Sequence, residues 1–491
     1  MTEILYENWE PVIGLEIHVQ LLTRTKLFSS APNRFGAEPN TLITEVDTGQ
    51  PGALPTLNKE AIRLATQFGL AIHAEIALVS SFDRKSYFYP DSPRNFQITQ
   101  FHQPLIRGGT VTCDVEGHTR HFAVHHAHVE DDTGMLKHFS SFAGIDYNRA
   151  GAALIEIVSE PVFRTPKEAV AYAMAIRAIM QYLNASDCNM EEGSLRIDAN
   201  VSVRLKGEKI LRPKIEIKNM NSFHNMELAL EVEIRRQIRA YSLRPHDPQD
   251  DVIGKGTYRF DPAQKETILM RRKEEAQDYR YFPEPDLPPV VLTEQYIEAL
   301  RAALPELPHQ RYLRYIADFK LPPASASLLV SDKFLSDYFE EALAYCSRPT
   351  ALCNWLISEF SGRLKEKGLT LQQSGLKSSN IGKLVKMIDE GTITGKMAKL
   401  VADEMLADPE RDSEEIVRNN PAYRPMEDTA ALEAIVIQVV KNNPESIADY
   451  KTGRTKALGF LVGQVMQKTE GKASPALVNE LIIKRMRDEK S

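Results

Sequence analysis

The chain has 491 residues, of which 43% are hydrophobic and 26% charged, so it is long enough to bury large cores in about two to four domains. No apolar run approaches the ~18 residues of a membrane span, and the acidic start differs from a signal peptide, so we expect a cytoplasmic protein without a membrane partner. The net charge of -7 excludes a uniformly basic nucleic-acid binder, and four cysteines without a Cys-x-x-Cys pair suggest neither a disulfide framework nor a thiolate zinc site.

The first predicted strand, residues 14–21, alternates polar and apolar side chains. Successive side chains of a strand point to opposite faces, so Glu16 and His18 share one face while Leu15 and Ile17 share the other. Such alternation is typical of a strand with one face lining a polar site. We interpret this face as part of a metal-dependent active site.

An aromatic segment with one lysine follows, Lys85-Ser-Tyr-Phe-Tyr-Pro-Asp. Residue types alone leave two interpretations open. The segment could contribute to the site, or it could equally be only an aromatic core strand closed by a turn.

Two further strand patterns carry charged groups. The polar face of residues 122–132 holds His126, His128, Glu130 and Asp132. In residues 154–158, Glu156 stands alone among branched apolar side chains. An unpaired carboxylate there would cost several kcal/mol, so Glu156 needs a cation or a hydrogen-bond donor.

A helix is predicted between this strand and the next. Thr165 supplies an N-cap, Pro166 the first helical position and Glu168 a capping box, and an apolar-rich run extends to Leu183. After it, residues 194–204 alternate again, with a polar face of Arg196, Asp198, Asn200, Ser202 and Arg204. A fifth strand pattern sets Glu216 and Lys218 on one side, and the segment Asn219-Met-Asn-Ser-Phe that follows is either part of the site or a turn and helix cap.

These strands suggest phosphoryl transfer. Several carboxylates with one imidazole suit Mg²⁺, whose coordination shell the phosphates of a nucleotide would complete. Zinc is the less favoured alternative, which His126 and His128 keep open.

The chain has no Walker-type or kinase-type glycine loop, so side chains would hold the phosphates. The available cations are Lys85, Arg149, Arg196, Arg204, Lys218 and Lys273. Taken singly, each of these polar residues is more often an ordinary surface group.

The prolines of residues 278–289 end regular structure, and the chain then becomes helical in pattern. We predict a catalytic domain over residues 1–292, a helical domain over 293–410 and a tail domain over 411–491. From residue 451 onward the tail has nine Lys and Arg against four Asp and Glu, a net charge of +5. A polyanion could dock there, and a solvated helix surface without a partner is the alternative.

Eight motifs together resemble the B subunits of bacterial aspartyl/glutamyl-tRNA amidotransferases, three-subunit complexes that convert Glu on tRNA(Gln) and Asp on tRNA(Asn) to the amides. The resemblance runs almost end to end. It covers residues 12–21, 51–55, 85–91, 154–161, 193–200, 216–223, 272–274 and 278–289. Residues 453–466 resemble the family's YqeY-like tail domain.

The resemblance implies an α+β fold: a glutamine-synthetase-like antiparallel β-sheet cradle, an α-helical domain and an α-helical YqeY-like tail. It implies a ligase in which ATP phosphorylates the tRNA-borne carboxylate with Mg²⁺ as cofactor, and ammonia from glutamine on the A subunit then displaces phosphate. A small C subunit would complete the heterotrimer. The implied catalytic residues are Glu16, His18, Glu130 and Glu156, which would bind the metal together with Asp198. The candidate ATP- and phosphate-binding residues are Lys85, Arg196, Asn200, Arg204, Lys218 and Lys273. Arg454, Lys456 and Lys472 are candidate tRNA contacts on their charge and their position in the tail motif.

Departures from the family pattern are few. Where the family usually reads Glu-Glu-Asp-Ala-Gly-Lys, this chain ends its acidic segment with Met135, so a basic residue is missing beside Glu130. Ser92-Pro-Arg replaces the usual Leu-Pro-Lys and keeps the charge. The cysteine pairs that bind zinc in some members are absent near residues 44–49, so no structural zinc is expected.

Two other functions fit some of these features. A free-standing ligase acting on a free amino acid would need neither tRNA nor partner subunits. A binding protein that only positions tRNA would keep the acidic sheet without its chemistry, and Met135 favours that reading.

Overall fold

The computed structural model describes residues 7–272, 278–423, 429–451, 456–469 and 471–488. Two compact units divide the chain, Met1–Tyr312 and Leu313–Ser491. The strands are β1 (Trp9–Gln20), β2 (Glu75–Ile76), β3 (Val79–Ser80), β4 (Asp83–Ser86), β5 (Phe96–Thr99), β6 (Ile106–Arg107), β7 (Thr110–Val115), β8 (His118–Asp131), β9 (Met135–His138), β10 (Ala143–Asp146), β11 (Ala153–Ser159), β12 (Leu195–Leu205), β13 (Ile215–Lys218), β14 (Gly256–Asp261), β15 (Glu266–Arg272), β16 (Phe282–Pro283) and β17 (Val290–Val291).

The helices increase in number toward the C-terminus. They are α1 (Lys59–Ala71), α2 (Pro166–Tyr182), α3 (Phe223–Leu243), α4 (Gln249–Val252), α5 (Glu294–Ala302), α6 (Pro308–Ala317), α7 (Pro323–Val330), α8 (Lys333–Leu343), α9 (Pro349–Asn354), α10 (Ser361–Glu366), α11 (Ser378–Asp389), α12 (Gly395–Ala407), α13 (Ser413–Asn419), α14 (Thr429–Asn442), α15 (Pro444–Lys451), α16 (Lys456–Lys468) and α17 (Pro475–Asp488). A π-helical stretch joins α9 to α10, and a 3₁₀ turn follows α13. Among the described residues, no helix combines the length and apolar character needed to cross a bilayer.

Ten strands of the first unit form one sheet. Nine follow the order β15-β14-β13-β12-β1-β11-β8-β6-β2, and β7 pairs with β8. The prediction of an α+β fold is confirmed, but a purely antiparallel sheet is wrong at one place, because β13 and β14 run parallel. Helix α3 lies between these two strands in the sequence, and a parallel pair needs such a crossover connection. The glutamine-synthetase-like cradle stays a prediction.

The apolar face of the sheet forms the core of the first unit. Leu15, Ile17 and Val19 of β1 are almost completely buried, and the cluster that contains them includes Phe68 of α1 and Tyr172 of α2. Removing one such buried aliphatic side chain costs about 2–5 kcal/mol. One face of the strands is therefore committed to the core, which leaves the alternating polar residues on the other.

Local signals place the helices that cover this core. The Thr165 hydroxyl accepts a hydrogen bond from the Glu168 N–H, and the Glu168 carboxylate accepts one from the Thr165 N–H, which confirms the predicted capping box of α2. Ser222 caps α3 by accepting from the Asn225 N–H, and Asn219 has a left-handed φ of 63°. The Asn-rich segment is therefore a turn and helix cap.

The second unit is helical. Helices α14 to α17 share a separate apolar cluster that includes Leu432, Val436, Leu461 and Ile482. Thr394, the N-cap of α12, donates its hydroxyl to the carbonyl of Gly471 at 2.7 Å. The division into three domains at residues 292 and 410 stays a prediction. The boundary between the two compact units falls after residue 312.

Packing between α8 and α11 depends on a glycine. A Cβ on Gly382 would lie 2.3 Å from the Ala342 carbonyl oxygen, inside the distance that real Cβ atoms keep. Gly362 of α10 has open space around its Cβ position. We expect Gly382→Ala to lower the free energy of unfolding of this unit by about 1–3 kcal/mol, and Gly362→Ala to leave it unchanged or raise it by up to about 1 kcal/mol. Hydrogen exchange of α8 and α11 measures both, and equal protection in the two variants would contradict the packing described.

Candidate active site

Strand register brings polar side chains onto one face of the large sheet. The cross-strand partners are His18 with Glu156 and Arg196, Glu16 with Asp198, Glu156 with His128, and Asn200 with Glu216. Each of the five predicted polar strands is confirmed to within one residue at its ends, from 14–20 within β1 to 215–218 as β13. Because β1 lies between β11 and β12, Glu16 and His18 stand at the centre of this face.

A first group is built from His18, Glu130 and Glu156. The His18 Nε2 lies 3.5 Å from Glu156 Oε2 and 3.8 Å from Glu130 Oε1. His128 approaches from the other side, with its Nε2 3.4 Å from Glu156 and 3.5 Å from Glu130. Thr99 of β5 donates to Glu130 Oε2 at 3.1 Å. Two carboxylates thus alternate with two imidazoles in a site where Glu130 is 2% exposed.

The charges in this group balance one another. Burial disfavours a charged imidazole, but Glu156 and Glu130 attract the proton more strongly, so the pKa of His18 rises to about 9. The pKa of His128 is raised against burial by the same two carboxylates. Burial would raise the pKa of Glu156, but His18 and His128 hold it well below its usual range. The two protonated imidazole rings therefore balance the negative charge of the two carboxylates. A bound divalent cation would supply the same positive charge.

His128 is a site residue that the predicted ligand set omits, although it lies two positions before Glu130 on the same polar face. Its Nδ1 is buried without a hydrogen-bond partner among the described residues. Its neighbour His126 stacks on it at 5.3 Å between ring centroids. Burial and the nearby His128 lower the pKa of His126 to about 4, so that ring is neutral near pH 7.

A second group contains Glu16, Asp198 and Glu216. The ammonium of Lys218 lies 2.8 Å from Glu216 Oε1 and also hydrogen-bonds to Asp198. Against burial, these two carboxylates raise the pKa of Lys218, which keeps it charged. Asn200 donates to Glu16 Oε1 at 2.8 Å, while burial and the charge of Glu156 raise the pKa of Glu16. The predicted metal ligands do not include Glu216, although the strand pattern places it on the same side as Lys218 and so indicates a polar site there.

The predicted phosphate-binding cations are distributed unevenly. Lys85 of β4 is near the first group, since Glu130 and Glu156 help to raise its pKa against burial. Arg196 is also adjacent and donates to Asp132 Oδ1 at 2.9 Å. Arg204 is not brought to either group, because it lies six residues beyond Asp198 along β12, about 20 Å away, and donates to Glu10.

The remaining predicted residues lie elsewhere or outside the described chain. Lys273 and Arg454 fall outside the described residues. Lys456 is exposed at the start of α16, and Lys472 is exposed between α16 and α17. The aromatic segment after Lys85 is not a core strand, since Phe88 and Tyr89 are exposed.

Other basic residues lie beside the acidic segment although position 135 is Met rather than the family's usual Lys. Arg149 Nε lies 3.3 Å from Asp132, and the Arg149 guanidinium also donates to the carbonyls of Thr133 and Gly134. Together with Arg196, it places two guanidinium groups beside the turn that precedes Met135.

The donor set fits a hard divalent cation. One nitrogen of His18 and one oxygen each of Glu130 and Glu156 lie within 4.8 Å of one another, and Glu16, Asp198 and Glu216 meet the same criterion. Three protein ligands leave positions for water and phosphate oxygens, which is how Mg²⁺ is usually bound. The fold and the site therefore fit a phosphoryl-transfer protein, with donor atoms suited to a metal ion and cations suited to phosphate on one face of the sheet.

Comparisons with known proteins cover both units. Residues 11–298 match the GatB/GatE catalytic domain family, and residues 337–486 match the family described as the GatB domain. The chain is 63% identical over 477 residues, 97% of each sequence, to the B subunit of the aspartyl/glutamyl-tRNA(Asn/Gln) amidotransferase of Protochlamydia amoebophila. It is 56% identical to the protein of the same name in Chlamydia abortus, over 98% of each. The chain belongs to this family of amidotransferase B subunits.

Proton competition predicts how the first group binds a cation. His18 holds a proton below its pKa of about 9 and must lose it to become a ligand, so divalent-cation affinity should rise as the pH increases from 7 to 9. We expect one to two protons to be released per ion, and the affinity to rise by up to about tenfold per pH unit for each proton released. Titration calorimetry in buffers of different ionisation enthalpy measures the release. His126→Asn should keep it, because His126 is already neutral, and His18→Asn should reduce it. A pH-independent affinity in the unsubstituted protein would contradict this assignment.

Proposed function

We propose that this chain is the carboxylate-activating subunit of a tRNA-dependent amidotransferase. Its substrates would be ATP, Glu-tRNA(Gln) and Asp-tRNA(Asn), or one of these two tRNAs, and its products Gln-tRNA(Gln) and Asn-tRNA(Asn). The observation that carries this proposal is the group of His18, Glu130 and Glu156 beside Lys85 and Arg196, within the region that matches a catalytic-domain family.

The reaction proceeds in two displacements. An oxygen of the tRNA-borne carboxylate attacks the γ-phosphorus of ATP, and the bond to ADP breaks. Ammonia then attacks the carbonyl carbon of the acyl phosphate, phosphate leaves with the electrons of the carbon–oxygen bond, and the nitrogen loses a proton. Activation is required because a carboxylate anion resists nucleophilic attack.

The side chains of the sheet face divide this work. His18, Glu130 and Glu156 would hold Mg²⁺, which when bound neutralises charge on the phosphate oxygens. Lys85 and Arg196 place fixed positive charge beside them, where burial strengthens its effect on the transferring phosphoryl group.

The other group holds its own cation. Lys218 offers charge between Asp198 and Glu216, and Asn200 orients Glu16 at the junction of the two groups. A phosphate oxygen or a second metal ion would have to compete with the lysine contacts there. Lys218 can therefore bind phosphate only if its ammonium group moves away from Asp198 or from Glu216.

Ammonia would come from glutamine hydrolysed on an A subunit, and a C subunit would complete a cytoplasmic heterotrimer. The sequence of this chain contains nothing like the Ser-Ser-Lys amidase signature of that partner. Alone it should therefore lack glutaminase activity.

The first test measures Mg²⁺-dependent release of ADP from ATP by the chain assembled with A and C subunits, with and without glutamate-charged tRNA(Gln). We expect charged tRNA to stimulate release and Glu156→Gln to reduce the stimulated rate by about 10²-fold or more, because one ligand contributes several kcal/mol of charge stabilisation. The same comparison with Glu16→Gln tests the second group.

Glu298→Gln is the matched control, since Glu298 is an exposed helix residue whose ion pair is with Arg301 of the same helix. It should retain the rate. ATP turnover that ignores tRNA would favour a free-standing ligase. Unchanged amidation by Glu156→Gln and Glu16→Gln complexes would favour a chain that only positions tRNA.

The basic tail gives a separate prediction. Replacing Arg454, Lys456 and Lys472 by Gln should weaken tRNA binding and reduce its dependence on salt, because each lost phosphate contact removes about 0.7–0.9 from the slope of log K against log salt. Fluorescence anisotropy over a salt series measures the slope. Replacing Lys365, Lys367 and Lys386 by Gln is the control for the loss of three positive charges, because these residues lie in α10, directly after it and in α11. If the slope is identical in the tail variant and the unsubstituted complex, these three residues do not contact tRNA phosphates.

A further inference from the structure

An exposed aromatic stack lies in the first unit, near the first group of acidic residues. The rings of Phe101 and Tyr281 are 4.0 Å apart between centroids and inclined by 7°. Phe101 is nevertheless 57% exposed. A flat ring with this much solvent contact presents a π-surface on which a planar ligand can stack.

The stack is held rigidly. The buried carboxylate of Asp83 accepts hydrogen bonds from the backbone N–H groups of Phe101 and His102, both at 2.9 Å. The His102 ring contacts the same carboxylate at 2.8 Å. On the other side, Phe282, which follows Tyr281, pairs with Arg84 of β4. Both rings are therefore fixed to the small sheet of β16, β4 and β5, so little ordering entropy is lost when a ligand binds.

The same small sheet reaches the first group. Thr99 and Gln100 immediately precede Phe101; Thr99 donates to Glu130, and Gln100 accepts from the Val129 N–H at 3.1 Å. The Lys85 ammonium of β4 lies 5.0 Å from the centroid of the Tyr279 ring, which contacts the Tyr281 ring at 6.0 Å between centroids. A ligand stacked on Phe101 would thus lie beside the cation and the carboxylates that the proposed reaction uses.

We propose that the Phe101–Tyr281 stack binds the 3′-terminal adenine of the charged tRNA. This inference rests on the proposed function and names a contact for its substrate. The amino acid is esterified to the ribose of that terminal nucleotide, so a base held on the stack keeps the reacting carboxylate within one nucleotide of the first group. Stacking supplies affinity without restricting which amino acid is attached.

The other source of adenine is ATP, and the geometry favours it less. A stack this exposed admits the end of a large polymer. A mononucleotide has an alternative, a cavity of about 270 Å³ whose lining includes Val12, Gly14 and Glu16. The two adenines would then approach the acidic groups from different places, as transfer between two substrates requires.

The test uses the complex with A and C subunits and compares intact tRNA(Gln) with tRNA(Gln) lacking its terminal adenosine. Removing the adenosine should weaken binding to the unsubstituted complex by about 5- to 150-fold, the range for one stacked base. Phe101→Ala should weaken binding of intact tRNA by a similar factor and show little further loss with truncated tRNA. Phe101→Tyr keeps an aromatic ring and should behave like the unsubstituted complex, which separates stacking from misfolding.

Three results would overturn the inference. Truncation could weaken binding to Phe101→Ala as much as to the unsubstituted complex. Phe101→Ala could bind intact tRNA normally, or it could raise the KM for ATP while leaving tRNA affinity unchanged, which would assign the stack to the nucleotide. Failure of the proposed function looks different: charged tRNA would not stimulate ADP release, while the dependence of binding on Phe101 and the terminal adenosine would persist.

Discussion

The central constraint on this protein is the burial of several carboxylates on one face of a sheet. Such groups are tolerated only when positive charge lies beside them. Antiparallel register supplies it, because β1 sets His18 directly opposite Glu156 and Arg196, and β11 sets Glu156 opposite His128. The apolar face of the same strands is held by the core, so a slip of one residue would bury the charges in that core. Fold and site therefore depend on the same register.

The two acidic groups achieve neutrality differently, and the difference affects what each can bind. In the first group protons on His18 and His128 carry the positive charge, and a proton leaves readily when a metal ion arrives. In the second group the charge belongs to Lys218, which is covalently tethered and must swing away from Asp198 or Glu216. In the proposed function, the first group is thus the better candidate for the metal site, and the second would contact phosphate only transiently.

Support for the site comes from a small sheet outside the large one. Strands β4 and β5 carry Lys85 and Thr99 to Glu130, and the turn after β5 carries Phe101. Buried Asp83 holds that turn from beneath. This arrangement places the cation and the aromatic surface on one rigid element beside Glu130 of the large sheet, which limits how far a substrate can move once bound.

The sequence alone determined the five strands with polar faces, the capped helix α2 and the family, because periodicity and capping are local and the motifs span nearly the whole chain. Register and distance were decided by the tertiary structure. Alternation put Arg204 on the same face as Arg196, but not at the same point along β12, and it could not pair Glu216 with the group of Glu16. Nor could it show the parallel pairing of β13 with β14, which follows from the path of the chain through α3. Which polar residues meet depends on strand order, and strand order is set by contacts between residues far apart in the sequence.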